Sequence, residues 1–136
     1  MVKNYKIILS EKPRGYHLID DELFAALGPL PQVGLLTVFI QHTSAAICIN
    51  ENADPTVRED FEFFLNRIVP EGLEGLKHTF EGPDDMPAHI KAALIGSSIQ
   101  IPIEGGKPVF GTWQGVYLCE FRNNGGRRHL IANIIS

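Results

Sequence analysis

Apolar and polar residues alternate at the start of the chain, where Tyr5, Ile7 and Leu9 interleave with Lys6, Ile8 and Ser10. This period of two predicts a strand with one buried face. A short helical stripe of Leu23, Phe24 and Leu27 follows Asp20, a cap residue, and stops at Gly28 before Pro29. Residues 33–40 (VGLLTVFI) and 44–49 (SAAICI) are apolar at both parities, as in strands covered on both faces, and predict two central strands. Asp54 then caps a helix that has Pro55 in its first position, carries Val57, Phe61, Phe64, Leu65 and Ile68 as its stripe, and ends at Pro70.

Beyond a glycine-containing connector at 70–77, the pattern predicts a helix from Pro87 to Leu94, capped by Asp84 or Asp85 and stopped at Gly96. The remainder reads as strands at 97–103, 108–112, 115–121 and 128–135, joined by turns at Glu104-Gly105-Gly106 and Asn123-Asn124-Gly125-Gly126. The β runs outnumber the helices, and no repeat or linker divides the chain. The expectation is one α+β domain over residues 1–136, built on a mainly antiparallel or mixed sheet.

Composition supports this picture. The chain has 136 residues, 44% of them hydrophobic and 21% charged, as in an ordinary globular protein. A chain of this length buries roughly 70% of its unfolded surface without staples. Its formal charge of −4 argues against a nucleic-acid partner held by electrostatics. From Leu23 to Asn50 there is no formal charge, yet Pro29, Pro31, Gln32, Gln41 and His42 suit a membrane span badly, so no membrane partner is expected. The opening residues MVKNYKIILS show no secretory signal, which makes the cytoplasm the expected location. Cys48 and Cys119 both fall in apolar runs and read as reduced core thiols.

Chemistry concentrates in HTFEGPDDMPAHIK, residues 78–91. His78 precedes the predicted helix start and His89 lies in its first turn, so both imidazoles can converge with Asp85 on one point, as metal ligands or proton carriers. Solvated histidines beside an aspartate cap are the plainer alternative. His42 shares strand parity with Leu36, Val38 and Ile40 and faces the side they bury, either as a core histidine bonded by Thr43 or Ser44 or as a general base. Glu120, in GVYLCEF, shares a face with Val116 and Leu118 and needs an arginine partner such as Arg122, Arg127 or Arg128, or else a raised pKa suited to acid–base work. Trp113 and Gln114, in GTWQG, either line a pocket for a flat ring or anchor a hairpin. The start of the 85–89 helix, with Lys91 nearby, is a candidate anion site, whereas Gly105-Gly106-Lys107 lacks the setting of a nucleotide loop.

Three blocks in order, QHTSAAICINENADP at 41–55, HTFEGPDDMPAHIKAALIGSS at 78–98 and IPIEGGKPVFGTWQGVYLCEFR at 101–122, resemble the YjbQ-like proteins, the secondary thiamine-phosphate synthase family. The resemblance spans nearly the whole chain. It implies a small α+β protein with a β-sandwich core, assembled as a homotrimer, with its site near a subunit boundary. It also implies coupling of hydroxymethylpyrimidine diphosphate to a thiazole phosphate with release of pyrophosphate.

On that basis His42, Glu120 and Lys91 are expected to be catalytic. The Thr43 and Ser44 hydroxyls, beside His42, suit a bound oxyanion and with Trp113 and Gln114 are expected to bind substrate, while His78, His89 and Asp85 are expected to hold a divalent ion, zinc or magnesium. No organic cofactor is expected. The expected ligand is a small phosphorylated or acidic metabolite, with the family reaction as a side activity. The competing readings are a non-catalytic metal- or metabolite-binding trimer and a metal-dependent hydrolase.

Overall fold

The computed structural model describes residues 1–136. Its elements in chain order are β1 (Val2–Ile8), β2 (Gly15–Leu18), α1 (Asp20–Leu27), β3 (Val33–Ile40), β4 (Ala45–Glu51), α2 (Pro55–Ile68), α3 (Asp85–Ile95), β5 (Ser98–Glu104), β6 (Lys107–Pro108), β7 (Gln114–Glu120) and β8 (His129–Ile135). A five-stranded sheet runs β1-β8-β3-β5-β6 and a three-stranded sheet runs β2-β7-β4. Every strand pairing is antiparallel. This is the α+β architecture that the run of β segments predicts, with the sandwich core that the family resemblance implies.

Alternation along β7 separates two cores. Val116 and Leu118 point between the sheets, where they join Leu36, Val38 and Ile40 of β3, Ile101 of β5 and Leu130 of β8. Tyr117 and Cys119 point the other way and join Tyr16, Ala46, Leu65, Ala88 and Phe121 beneath α2 and α3. The three-stranded sheet is therefore covered on both faces, which explains the apolar residues at both parities of β4 and β7. Helix α1 contributes Leu23 and Leu27 to the inter-sheet core.

Several local expectations are corrected. Strand β3 is interior, as expected, but β4 is an edge strand, covered by helix and sheet on its faces and unpaired along one side. The strand expected at 108–112 shrinks to Lys107–Pro108: Val109 still donates its N–H to the Pro102 carbonyl at 2.9 Å, but Pro102 has no N–H to return the bond and complete the pair. The four-residue β2 escaped the pattern altogether, being too short for a period of two to register. Asp20 does not cap α1; Ile19 holds the cap position, and the Asp20 carboxylate accepts the Val116 N–H at 2.9 Å.

Helix α2 starts as expected, with Asp54 accepting the Thr56 N–H at 2.9 Å and Pro55 at its head. Its inward stripe is narrower than expected: Phe61 and Leu65 pack inward, while Phe64 and Ile68 are exposed. Helix α3 begins at Asp85, two residues before the expected Pro87. Asp84 occupies its cap position but makes no side-chain cap bond, because its carboxylate is drawn to Arg122 and to the Asn123 N–H.

Candidate metal centre and adjoining cleft

Helix α3 lies close against the three-stranded sheet because its buried face carries the small Ala88, fully covered, with Ala92 beside it. That contact sets Asp85 and His89, four residues apart, on one helical face beside the loop entering β4. His78 reaches the same point from the preceding loop. Its Nε2 lies 2.7 Å from Asp85 Oδ2, and His89 Nε2 lies 3.2 Å from that same oxygen. The three ligand atoms all fall within 4.8 Å of one another. Convergence of His78, Asp85 and His89 is thus met.

The surroundings orient each group. His89 Nδ1 lies 2.9 Å from the Thr43 carbonyl, which can only accept, so Nδ1 carries a hydrogen and Nε2 is the nitrogen turned to Asp85. Two lone pairs facing at 3.2 Å repel unless a proton or a cation stands between them. The other Asp85 oxygen, Oδ1, accepts from Arg122 Nη1 at 2.7 Å. Arg122 is fixed in turn by Asp84 Oδ2 at 2.9 Å and by the Glu81 carbonyl. Burial opposes the Asp85 charge, but the His78 bond and the His89 and Arg122 charges outweigh it and leave its pKa lowered. The result is a carboxylate held ionised with one oxygen aimed at two imidazoles.

His89 also borders an open cleft of about 510 Å³ with His42, Thr43, Ala93 and Ser97 on its walls. His42 is half-buried, and its Nε2 accepts the His129 N–H at 2.8 Å, which leaves Nδ1 as a donor. Burial, followed by the nearby charges of Arg128 and His129, lowers its pKa. Ser44 is buried and commits its hydroxyl to Arg128 at 3.0 Å. The part of Thr43 that reaches the centre is its carbonyl.

Glu120 is fully buried between the sheets. Arg128 grips it through Nε at 2.7 Å and Nη2 at 2.5 Å, and the Arg122 N–H bonds the same carboxylate at 3.1 Å. Of the partners the sequence offered, Arg128 takes the side chain, while Arg122 contributes only its backbone and sends its guanidinium to Asp84 and Asp85. Lys91 points away from the centre. It is buried on the other side of α3 with Nζ 2.6 Å from Asn66 Oδ1, and Asn66 also holds Arg14. Burial and then the Arg14 charge lower its pKa.

Trp113 and Gln114 sit at the opposite end of β7 from Glu120, six residues away, or roughly 20 Å along an extended strand. Within one chain the fold does not bring them to the histidines. Trp113 is largely exposed, and Gln114 Oε1 accepts the Gly111 N–H.

Sequence similarity agrees with this architecture. Residues 5–136 match the profile of the family described as UPF0047 protein YjbQ-like. The chain belongs to the UPF0047/YjbQ-like family. It is 47% identical over 130 residues to the "UPF0047 protein YjbQ" of Escherichia coli O157:H7, covering 94% of each chain. Among solved structures, a YbjQ-like protein of unknown function from Sulfolobus solfataricus P2 superposes with a TM-score of 0.83 at 25% identity, covering 98% of this chain and 96% of that one. An uncharacterized YjbQ/UPF0047-family protein from Clostridium acetobutylicum gives 0.75 at 38% identity, covering 98% and 99%. The family's α+β architecture thus extends over essentially the whole chain.

Proposed function

We propose that this YjbQ-like protein is a metal-dependent enzyme acting on a small phosphorylated or acidic metabolite, with His78, Asp85 and His89 holding a divalent cation. The observation that carries this reading is the single Asp85 oxygen shared by two imidazoles while Arg122 occupies the other oxygen. A two-histidine, one-carboxylate set suits zinc better than magnesium, which prefers oxygen donors, and it leaves coordination positions open for a ligand. A cation bound there supplies Lewis acidity toward anionic oxygens.

The chain's own groups do the rest. Thr43 fixes the His89 tautomer, Arg122 keeps Asp85 ionised, and His42 presents Nδ1–H to the cleft as an orienting donor. Resemblance narrows the reaction to a thiamine-phosphate synthase-like transfer with release of pyrophosphate, as a side activity of a site made for a related substrate. Trimeric assembly belongs to the same reading and would bring Trp113 and Gln114 of another copy within range of the cleft.

One observation favours a second reading, a metal- or metabolite-binding trimer without turnover. Arg122 and Arg128 are already neutralised by carboxylates and Lys91 faces away, so none of these three is free to clamp a diphosphate. The deciding experiment is elemental analysis of untagged protein, then assay of pyrophosphate release with and without chelator. One zinc per chain with chelator-sensitive release is expected. Full activity in metal-free protein overturns the metal-dependent reading, and bound zinc without turnover on any phosphorylated substrate tried selects the binding module.

A further inference from the structure

Both cysteines of the chain lie on the face of the three-stranded sheet that meets α2 and α3. In the β4–β7 ladder Cys48 stands opposite Tyr117 and Cys119 opposite Ala46, so the two are diagonal neighbours on one face. Their Sγ atoms are 3.7 Å apart. Cys119 is buried and Cys48 half-buried. Both line a largely apolar cavity of about 210 Å³ whose walls include Tyr16, Phe61, Leu65 and Ile95. The Tyr16 hydroxyl is buried and has no hydrogen-bond partner.

The sulfur separation decides among the uses of such a pair. A disulfide needs about 2.05 Å between sulfurs and usually Cα atoms about 4.4–6.8 Å apart. Diagonal strand neighbours stand about 7–8 Å apart, so closing that bond requires backbone movement. A tetrahedral cation with metal–sulfur bonds of about 2.3 Å holds its two sulfurs about 3.8 Å apart, and this pair is already at that spacing.

Charge points the same way, because two thiolates and a divalent cation sum to zero and place no net charge in an apolar cavity.

We propose that Cys48 and Cys119 form a second metal site, a bis-thiolate pocket for a thiophilic divalent cation of the zinc or cadmium type. It is independent of the His78–Asp85–His89 centre. Entry is through the half-buried Cys48, whose thiol pKa is lowered by the hydrogen bond from Cys119, while that of Cys119 is raised by the same contact and by burial. Binding releases both thiol protons to solvent. The remaining coordination positions fall to water or to a small ligand in the cavity.

Cadmium titration of the reduced, metal-free full chain tests the site, because a thiolate-to-cadmium charge-transfer band in the ultraviolet arises only where sulfur binds. The band should saturate at one equivalent per chain. It should vanish in Cys48→Ser, whose fold is verified by circular dichroism, and persist in the His78→Ala/His89→Ala double variant, so that failure here is separable from failure at the histidine centre. Wild-type protein with two titratable thiols and no band overturns the proposal, as does a full-amplitude band in Cys48→Ser. Loss of the band in the double histidine variant overturns the independence of the two sites. Conversion of the pair to a disulfide by hydrogen peroxide, without any cadmium band, makes it a redox pair instead.

Discussion

Gly125 is a glycine because Glu120 is beside it. A Cβ at position 125 would stand within bonding-like distance of the Glu120 carboxyl group, whereas the neighbouring Gly126 has open space around it and a φ of 71°. The first glycine is required for room and the second for backbone conformation. Gly125→Ala should therefore push Glu120 off Arg128 and cost about 3 kcal/mol through overpacking. Gly126→Ala should cost only about 1 kcal/mol from the left-handed backbone. Urea unfolding of the two variants checks the order, and equal midpoints would show that the carboxylate moves aside freely.

Glu120→Gln should cost about 3–5 kcal/mol, because it leaves the Arg128 guanidinium buried without its charge partner. Adding Arg128→Met should recover much of that loss. A Glu120→Gln chain with wild-type stability but no activity would return Glu120 to the catalytic role that the sequence suggests. A proportionate loss of both would keep it structural.

Arg122 touches Asp85 Oδ1 and so sets which carboxylate oxygen faces the imidazoles. Removing such an outer contact typically weakens metal binding about 10–100-fold. Arg122→Met should show that loss in a competition titration with a zinc indicator, while Lys91→Met, altered on the far side of α3, should bind zinc as the wild type does. Unchanged affinity in Arg122→Met would mean that Asp85 is oriented by the helix alone.

The Asp84 carboxylate gives a pH test. Its burial opposes ionisation, but the Asn123 N–H and the Arg122 guanidinium more than offset it, and its pKa is lowered on folding. A carboxyl group depressed in this way adds stability that is complete above its unfolded pKa of about 3.9 and is lost as pH falls through the lower folded value. The stability advantage of wild type over Arg122→Met should therefore be constant near neutrality and shrink below about pH 4. Urea midpoints at several acid pH values measure it, and an advantage that grows on acidification contradicts the assignment.

Periodicity made most of the fold legible. The long β3, β5, β7 and β8 and the capped α2 carry patterns that tertiary contacts reinforce, whereas β2 is held by β7, far along the chain, and leaves little local trace, and β6, though joined to β5 by a tight turn, is only two residues long. The histidine centre was legible because Asp85 and His89 sit four residues apart on a helix with His78 just before it. Its outer contacts were not. Arg122 and the Thr43 carbonyl arrive from 37 and 46 residues away, and only the closed sandwich brings them in. Lys91 shows the limit of proximity in sequence, since two residues beyond His89 on a helix is nearly the opposite face.

The chain has a single tryptophan, so its intrinsic fluorescence reports one place, Trp113, which is 64% exposed in an isolated chain. An indole that open to water should emit at long wavelength. The trimer implied by family resemblance requires surface to be buried, and Trp113 lies at an end of β7 with Phe39, Val33 and Val109 among the other exposed apolar side chains. Light scattering should therefore give a mass of three 15.1 kDa chains. If assembly covers Trp113, emission should be blue-shifted at micromolar concentration and move red on dilution as the mass falls. A monomer by scattering removes the trimer, and with it any cleft that borrows Trp113 and Gln114 from another copy. A trimer whose emission stays red keeps the assembly but places Trp113 outside its interface, and the search for the substrate's ring-binding surface then returns to His42 and the walls of the α3 cleft.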